Sequence, residues 1–129
     1  IDCSMIEDER KPLPAHSGDG TLEWNRCHGV VTQAWAPLAY GYLSGRASDW
    51  EHERVKRVAA EVSKVAKNHG VEPEAVVIGW LLRHPAAIQP VIGTRDPARL
   101  KACHQALNLD MDHKEWYSLY LSTRDSELP

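Results

Sequence analysis

Residues 88–101 constrain the fold most, because a short apolar run there passes directly into a capped helix. Residues 88–92 have the composition of a buried strand, and Gly93 follows them. Asp96 suits the N-cap of a helix, and Pro97 suits its first position, where no backbone N–H is needed. The sequence therefore predicts a strand, a short connection, and a helix from Pro97 to about Leu107.

The same connection has the features of an anion site. The first backbone N–H groups of the helix point back at Gly93 and Thr94, and the helix dipole favours negative charge there. Arg95 precedes the helix and Arg99 lies one turn inside it, and guanidinium groups match phosphate oxygens well. Two interpretations stay open. The connection either binds phosphate or is an ordinary strand-to-helix link in which Arg99 pairs with Asp96 or faces water.

Strands and helices alternate along the rest of the chain. The predicted strands cover residues 1–6 and 30–35, and we expect the second, which carries β-branched residues, to be buried. Residues 7–20 are a polar loop, and residues 36–45 form a strand-to-helix loop with two tyrosines. This alternation is typical of an α/β fold with parallel strands and helices on the outer side.

Local signals define four more helices. A short helix over residues 21–28 ends at Gly29, and a long one ends at Gly70 after a capping box over residues 48–51. Pro73 opens a helix over residues 74–83 that is apolar almost all round, with Trp80 in the core. A second capping box, at residues 112–115, starts a terminal helix, and residues 125–129 should fray.

Composition excludes several classes of partner. The chain has 129 residues and a net charge of −3, which gives no basic surface for nucleic acid. No apolar stretch is long enough to span a membrane. Three distant cysteines predict a reduced, cytoplasmic setting. Residues 1–6 read as the end of a strand already under way, so we expect the chain to be a piece of a longer protein.

Common catalytic motifs are missing from the sequence. The seven histidines show no spacing typical of metal ligands, so no metal site is predicted. There is neither a Gly-x-Ser-x-Gly elbow nor a phosphate loop ending in Lys-Ser or Lys-Thr. Acyl transfer and P-loop nucleotide hydrolysis therefore lack support.

Two segments resemble a known family. Residues 33–45, from Gln33 to Gly45, resemble the seventh-strand segment of the aldo-keto reductases, and residues 90–100 resemble their eighth-strand NADP-binding segment. The resemblance covers most of residues 20–122. It implies that residues 1–129 form one partial (β/α)₈ TIM-barrel domain, an α/β fold that comprises roughly strands 6–8 and a terminal helix.

The resemblance implies an oxidoreductase that transfers hydride from NADPH to aldehydes or ketones. The family's catalytic tetrad of aspartate, tyrosine, lysine and histidine lies on earlier strands, and Tyr40, Tyr42, Lys64 and His84 do not match it. No catalytic residue is therefore predicted in this chain, which is interpreted as the NADP(H)-binding C-terminal portion. The alternative is a non-catalytic nucleotide-binding or regulatory interaction module of the same fold.

The resemblance also implies a set of cofactor-binding residues. Trp35 occupies the position that stacks on the nicotinamide, and Ala36 and Leu38, with Pro37 between them, lie along the pyrophosphate and ribose. The positions around the 2′-phosphate are those of Gly93, Thr94, Arg95 and Arg99. Ala36 stands where many members have serine, and Cys103 where a polar side chain commonly faces the adenine.

The expected partners follow from the same interpretation. A full-length relative would take a small-molecule carbonyl substrate. Strands of a partial barrel lack neighbours, and open sheet edges favour pairing with another copy. We therefore expect self-association through these edges.

Overall fold

A computed structural model describes residues 20–46 and 53–124. The predictions for residues 1–19, 48–51 and 125–129 lie outside these ranges. The described elements are, in chain order, helix α1 (Thr21–Cys27), strand β1 (Gln33–Trp35), a 3₁₀ turn (Ala39–Gly41), helix α2 (Glu53–His69), helix α3 (Pro73–Arg83), strand β2 (Gln89–Val91), helix α4 (Pro97–His104), a second 3₁₀ turn (Gln105–Asn108) and helix α5 (His113–Ser122).

Helix α2 confirms the predicted amphipathic pattern. Its fully buried residues recur at helical spacing and face the core: Val58, Val62, Val65 and Ala66. Val55 and Ala59, which belong to the same predicted face, are half-buried at its borders. Gly70 follows the helix with a left-handed φ of 63°, which is the backbone conformation that ends helices most readily. Helix α2 thus covers one side of the core.

Helix α3 is the centre of the fold. Eight successive residues, from Glu74 to Leu81, are buried, as expected for a helix that is apolar on nearly all sides. Pro73 is its first residue, as predicted, and Trp80 is only 4% exposed. A Cβ atom on Gly79 would lie 2.9 Å from Cδ2 of Leu109, so glycine allows this close approach. No described helix has the length and hydropathy needed to cross a membrane.

Two tryptophans join helix α3 to helix α5. The rings of Trp80 and Trp116 stack with centroids 4.7 Å apart and planes inclined by 7°. Each indole N–H donates to the other residue's carbonyl oxygen, at 3.1 Å from Trp80 and 3.2 Å from Trp116. Helix α5 starts with the predicted capping box between Asp112 and Glu115. The stack therefore satisfies both polar groups while it buries two large apolar rings.

The two strands pair in parallel, as predicted, but the expected buried strand over residues 30–35 is wrong in extent and burial. Strand β1 covers only Gln33–Trp35, and Trp35 pairs in register with Val91. Val31 is 69% exposed and Trp35 is 65% exposed, whereas Ala34 packs against the core. Alternate residues of a strand point to opposite faces, and the described part of the chain covers only the face of Ala34.

Candidate cofactor site

The predicted site residues meet at one edge of the strand pair. Strand β1 ends at Trp35 and strand β2 ends at Val91, and these two residues are directly paired. Because the strands are parallel, the loop over residues 36–46 and the connection over residues 92–96 leave from the same edge. This carboxyl edge is where α/β barrels bind their ligands. The structure therefore brings the two segments singled out from the sequence together.

The loop after strand β1 turns sharply. Ala36, Ala39 and Tyr40 have left-handed φ angles of 47°, 46° and 55°, which are uncommon for residues with a side chain. The Ala39 N–H donates to the Ala36 carbonyl, and the Gly41 N–H to the Leu38 carbonyl, each at 2.9 Å. Such strain persists only where surrounding contacts hold it, and it is concentrated at functional sites. The loop backbone is thus fixed close to the strand edge.

Side chains on this loop divide into buried and exposed groups. Pro37 and Leu38, near the start of the loop, have buried side chains. Trp35 and Tyr40 stay exposed, with ring centroids 6.2 Å apart and planes at 81°. Trp35 therefore presents an accessible aromatic face at the predicted nicotinamide position.

The connection after strand β2 confirms the predicted N-cap. The Asp96 carboxylate accepts a hydrogen bond from the Ala98 N–H at 2.9 Å, and Thr94 Oγ1 accepts one from the Asp96 N–H at 3.2 Å. A Cβ on Gly93 would meet no atom within 4 Å among the described residues, so its surroundings are open. Arg95 is exposed. Gly93 and Arg95 thus flank the start of helix α4 with room for a ligand.

Arg99 neither pairs with Asp96 nor faces water, the two arrangements expected of an ordinary strand-to-helix link. Its side chain is only 20% exposed, so it does not face water. Its Nε lies 3.6 Å from Oε1 of Glu74 on helix α3, so its ionic contact is with Glu74 and not with Asp96. Within the described ranges, the buried Nε and Nη2 atoms of Arg99 have no hydrogen-bond partner. Buried donors without acceptors are unfavourable, especially on a charged group. The described residues therefore leave two donors of Arg99 without an acceptor.

Glu74 and Arg46 complete a charged cluster that was not predicted from the sequence. Glu74 is 1% exposed, and its Oε1 accepts a hydrogen bond from Nε of Arg46 at 2.5 Å. This contact raises the pKa of Arg46. Arg46, Glu74 and Arg99 together carry a net charge of +1. Glu74 is an acidic residue at the start of an apolar helix, and a buried carboxylate requires a cation. That position was the one sequence signal that could have predicted a cationic partner.

Cys103 lies one turn beyond Arg99 on helix α4 and is buried. Burial raises the pKa of its thiol, and the Glu74 carboxylate adds to that effect, whereas Arg99 and Arg46 oppose it. The thiol is therefore neutral near pH 7 and adds no charge to the cluster. Across the described ranges, no group of three His, Cys, Asp or Glu side chains is arranged to hold a metal ion.

Comparison with known proteins identifies the family. The model of the Aldo/keto reductase family matches residues 1–120. The chain belongs to this family. A 6-dehydroglucose reductase from Agrobacterium fabrum is 36% identical to this aldo-keto reductase chain over 102 residues, which are 79% of the chain and 32% of the relative. A protein of the same name from Novosphingobium aromaticivorans is 32% identical over 111 residues, 86% of the chain and 35% of the relative.

The solved structures agree on the fold. A thermostable aldo-keto reductase, crystallised with the inhibitor epalrestat, superposes with a TM-score of 0.65 and 22% identity. The match covers 81% of this chain and 34% of that protein. The chain thus has the fold of part of a TIM barrel, and it spans about a third of the length of the curated relatives. The family generally uses NAD(P)H.

Proposed function

We propose that this segment is the NADP(H)-binding C-terminal portion of an aldo-keto reductase, and that Arg99 holds the 2′-phosphate. The observation that carries the proposal is that, among the described residues, the buried Nε and Nη2 atoms of Arg99 have no hydrogen-bond partner. A phosphate is the natural acceptor for them, because charged forks bind phosphate oxygens with strong hydrogen bonds. The net charge of +1 on the surrounding cluster supports an anionic ligand.

The other predicted residues fit the remaining parts of the same ligand. In this proposal Gly93, Thr94 and Arg95 complete the phosphate site, beside the positive end of helix α4. Ala36, Pro37 and Leu38 provide the fixed loop along the pyrophosphate and ribose. Trp35 stacks on the nicotinamide, and Cys103 lies near the adenine. When bound, NADPH supplies the hydride for a carbonyl carbon, and this chain binds and orients it.

The catalytic groups belong, in this proposal, to barrel strands outside the sequence. Tyr40 and His84 could donate a proton by residue type, and neither matches the family's motif. Burial lowers the pKa of His84, whose Nδ1 accepts a hydrogen bond from the Ala86 N–H at 3.1 Å. The two relatives named as 6-dehydroglucose reductases make an oxidised sugar the first carbonyl compound to test.

A regulatory interaction module of the same fold is the second candidate. Exposed apolar side chains at the strand pair, such as Val31 and Trp35, favour it because they offer a surface to another protein. NADPH oxidation that depends on an added aldehyde, measured on a protein that also carries the other barrel strands, would separate the two candidates. A purely regulatory protein would bind the nucleotide without such oxidation.

Substitution of Arg99 tests the phosphate assignment. A charge-assisted contact contributes about 1.5–3 kcal/mol, so Arg99→Ala should weaken NADPH binding by roughly 10- to 100-fold. NADH lacks the 2′-phosphate, and its affinity should hardly change. Tryptophan fluorescence titration measures both. Lys101→Ala, on an exposed position of the same helix, is the matched control. An equal loss of NADPH and NADH binding in Arg99→Ala would contradict the assignment.

A further inference from the structure

We propose that Glu74 is a positioning residue of the phosphate site: its buried carboxylate holds the Arg99 guanidinium at Nε, so that Nη2, which has no hydrogen-bond partner among the described residues, is directed at the ligand. This inference rests on the proposed function. It concerns a residue that does not itself contact the cofactor. Glu74 belongs to helix α3 and Arg99 to helix α4, so the contact links two elements of the fold.

Helix α3 gives the carboxylate a fixed position. Glu74 is 1% exposed, and the seven residues that follow it are also buried. Its side chain therefore has little room to move. Close-packed surroundings lock side-chain rotamers, which is how supporting residues orient the groups that touch a ligand. Arg99, a long and flexible side chain, gains a fixed partner at its Nε.

Arg46 and Arg99 contact the Glu74 carboxylate at different distances. Arg46 donates a short hydrogen bond of 2.5 Å to Oε1 of Glu74 and so compensates its buried charge. Arg99 approaches the same oxygen at 3.6 Å, close enough for attraction but too far for a hydrogen bond. Glu74 therefore holds Arg99 without consuming its donors. Arg46, which is half-exposed, provides the hydrogen bond that compensates the buried carboxylate.

Glu74 also has a second physical effect, electrostatic repulsion of an anionic ligand, which predicts the opposite change in affinity. A carboxylate beside a phosphate site repels the ligand, so its removal would tighten binding if repulsion were dominant. The hydrogen bond from Arg46 already offsets that charge. Loss of Glu74 would instead leave two arginines near each other without a common anion. We therefore expect positioning to dominate and binding to weaken.

Calorimetric titration of two nucleotides tests the inference. Adenosine 2′,5′-bisphosphate carries the 2′-phosphate and adenosine 5′-monophosphate does not. In Glu74→Gln, affinity for the bisphosphate should fall about 10-fold, the lower end of what loss of an orienting partner costs at metal sites. Affinity for the monophosphate should stay within about twofold, because Arg99 does not contact it.

Glu72→Gln is the matched control. It removes the same charge two residues earlier, from an exposed side chain at the N-cap of helix α3. If long-range charge alone acts on the ligand, Glu72→Gln and Glu74→Gln will change bisphosphate affinity similarly. That result would overturn the positioning role. We expect Glu72→Gln to leave both affinities within about twofold, because solvent screens exposed charges.

A double-mutant cycle shows whether Glu74 acts through Arg99. Combined with Arg99→Ala, Glu74→Gln should add no further loss of bisphosphate affinity, because coupled residues are not additive. A full additional loss would contradict the inference. If Glu74→Gln loses its near-UV circular dichroism, the variant Glu74→Gln/Arg46→Gln replaces it, since it removes both charges of the short pair. Loss of the native signal there too would make Glu74 a purely structural residue and overturn the inference.

Failure of the inference and failure of the proposed function give different results. If the unmodified chain does not prefer the bisphosphate over the monophosphate, the proposed 2′-phosphate site is wrong. If it shows that preference and Glu74→Gln leaves it unchanged or increases it, the proposed function stands and the role of Glu74 is wrong.

Discussion

The helical layer and the strand edge of this chain differ in how far their side chains are buried and their polar groups are paired. In the layer formed by helices α2, α3 and α5, apolar side chains form the core, and the indole N–H groups of Trp80 and Trp116 are paired with each other's carbonyl oxygens. At the edge formed by strands β1 and β2, Trp35 is exposed, the loop backbone is strained, and nearby Arg99 has donors without a partner in the described part of the chain. The helices thus form the packed core, and the edge carries the groups that we propose bind the ligand.

Truncation of a core side chain should give the largest change in stability. Leu119 of helix α5 is completely buried, so Leu119→Ala should lower the free energy of unfolding by about 2–5 kcal/mol. Leu121 lies on the same helix and is 41% exposed, so Leu121→Ala should change the free energy of unfolding by less than about 0.5–1 kcal/mol. Urea denaturation followed by circular dichroism measures both. Similar losses in the two variants would show that helix α5 does not supply a distinct core.

Self-association should distinguish the two regions next. We expect the chain to form dimers, swapped assemblies or aggregates through the strand edge at micromolar concentration. Val31→Lys, at a position 69% exposed beside strand β1, should shift the population towards the 14.5 kDa monomer. Leu107→Lys, at a position 67% exposed on the helical side, should not. Sedimentation velocity measures this, and a stable, folded monomer in the unmodified chain would refute the expectation.

The capping box of helix α5 should give the smallest effect, a pH dependence. The hydrogen bond from the Glu115 N–H lowers the pKa of Asp112 below its usual value. Its contribution to stability is therefore complete above that usual value and is lost as the pH falls through the lower folded pKa. Asp112→Asn keeps a capping acceptor without titrating.

Urea denaturation at several pH values between about 6 and 3 tests this effect. The loss of stability on acidification should be smaller in Asp112→Asn than in the unmodified chain. Asp110→Asn, at an exposed position outside the capping box, is the control and should retain the full pH dependence. Equal pH dependence in the unmodified chain and Asp112→Asn would show that the cap does not contribute in this way.

Helices were predictable because their signals are local. The spacing of Val58, Val62 and Val65, the caps at Asp96 and Asp112, and Pro73 at a first helical position each depend on a few neighbouring residues. The burial of residues 30–35 was predicted wrongly because it depends on what lies across the sheet. An apolar run alone does not reveal whether both faces of a strand are covered.

The candidate site was predictable only in part for the same reason. The order of strand, glycine and capped helix predicted the connection that carries Arg99, and the family resemblance supplied the cofactor positions. The contact of Arg99 with Glu74 joins residues 25 positions apart, and that of Arg46 with Glu74 joins residues 28 positions apart. No spacing rule covers such contacts, because they depend on how helix α3 packs against its neighbours.

The most direct test of the account compares the affinities of NADPH and adenosine 2′,5′-bisphosphate for the purified 129-residue chain. In the proposed function this chain carries the residues for the adenosine end, above all Arg99, and the catalytic groups belong to other barrel strands. Calorimetry should therefore give dissociation constants within roughly threefold of each other, a difference below about 1 kcal/mol. NADPH oxidation with aldehydes should stay far below the ~10 s⁻¹ typical of enzymes. Binding of NADPH without binding of the bisphosphate would contradict the central claim.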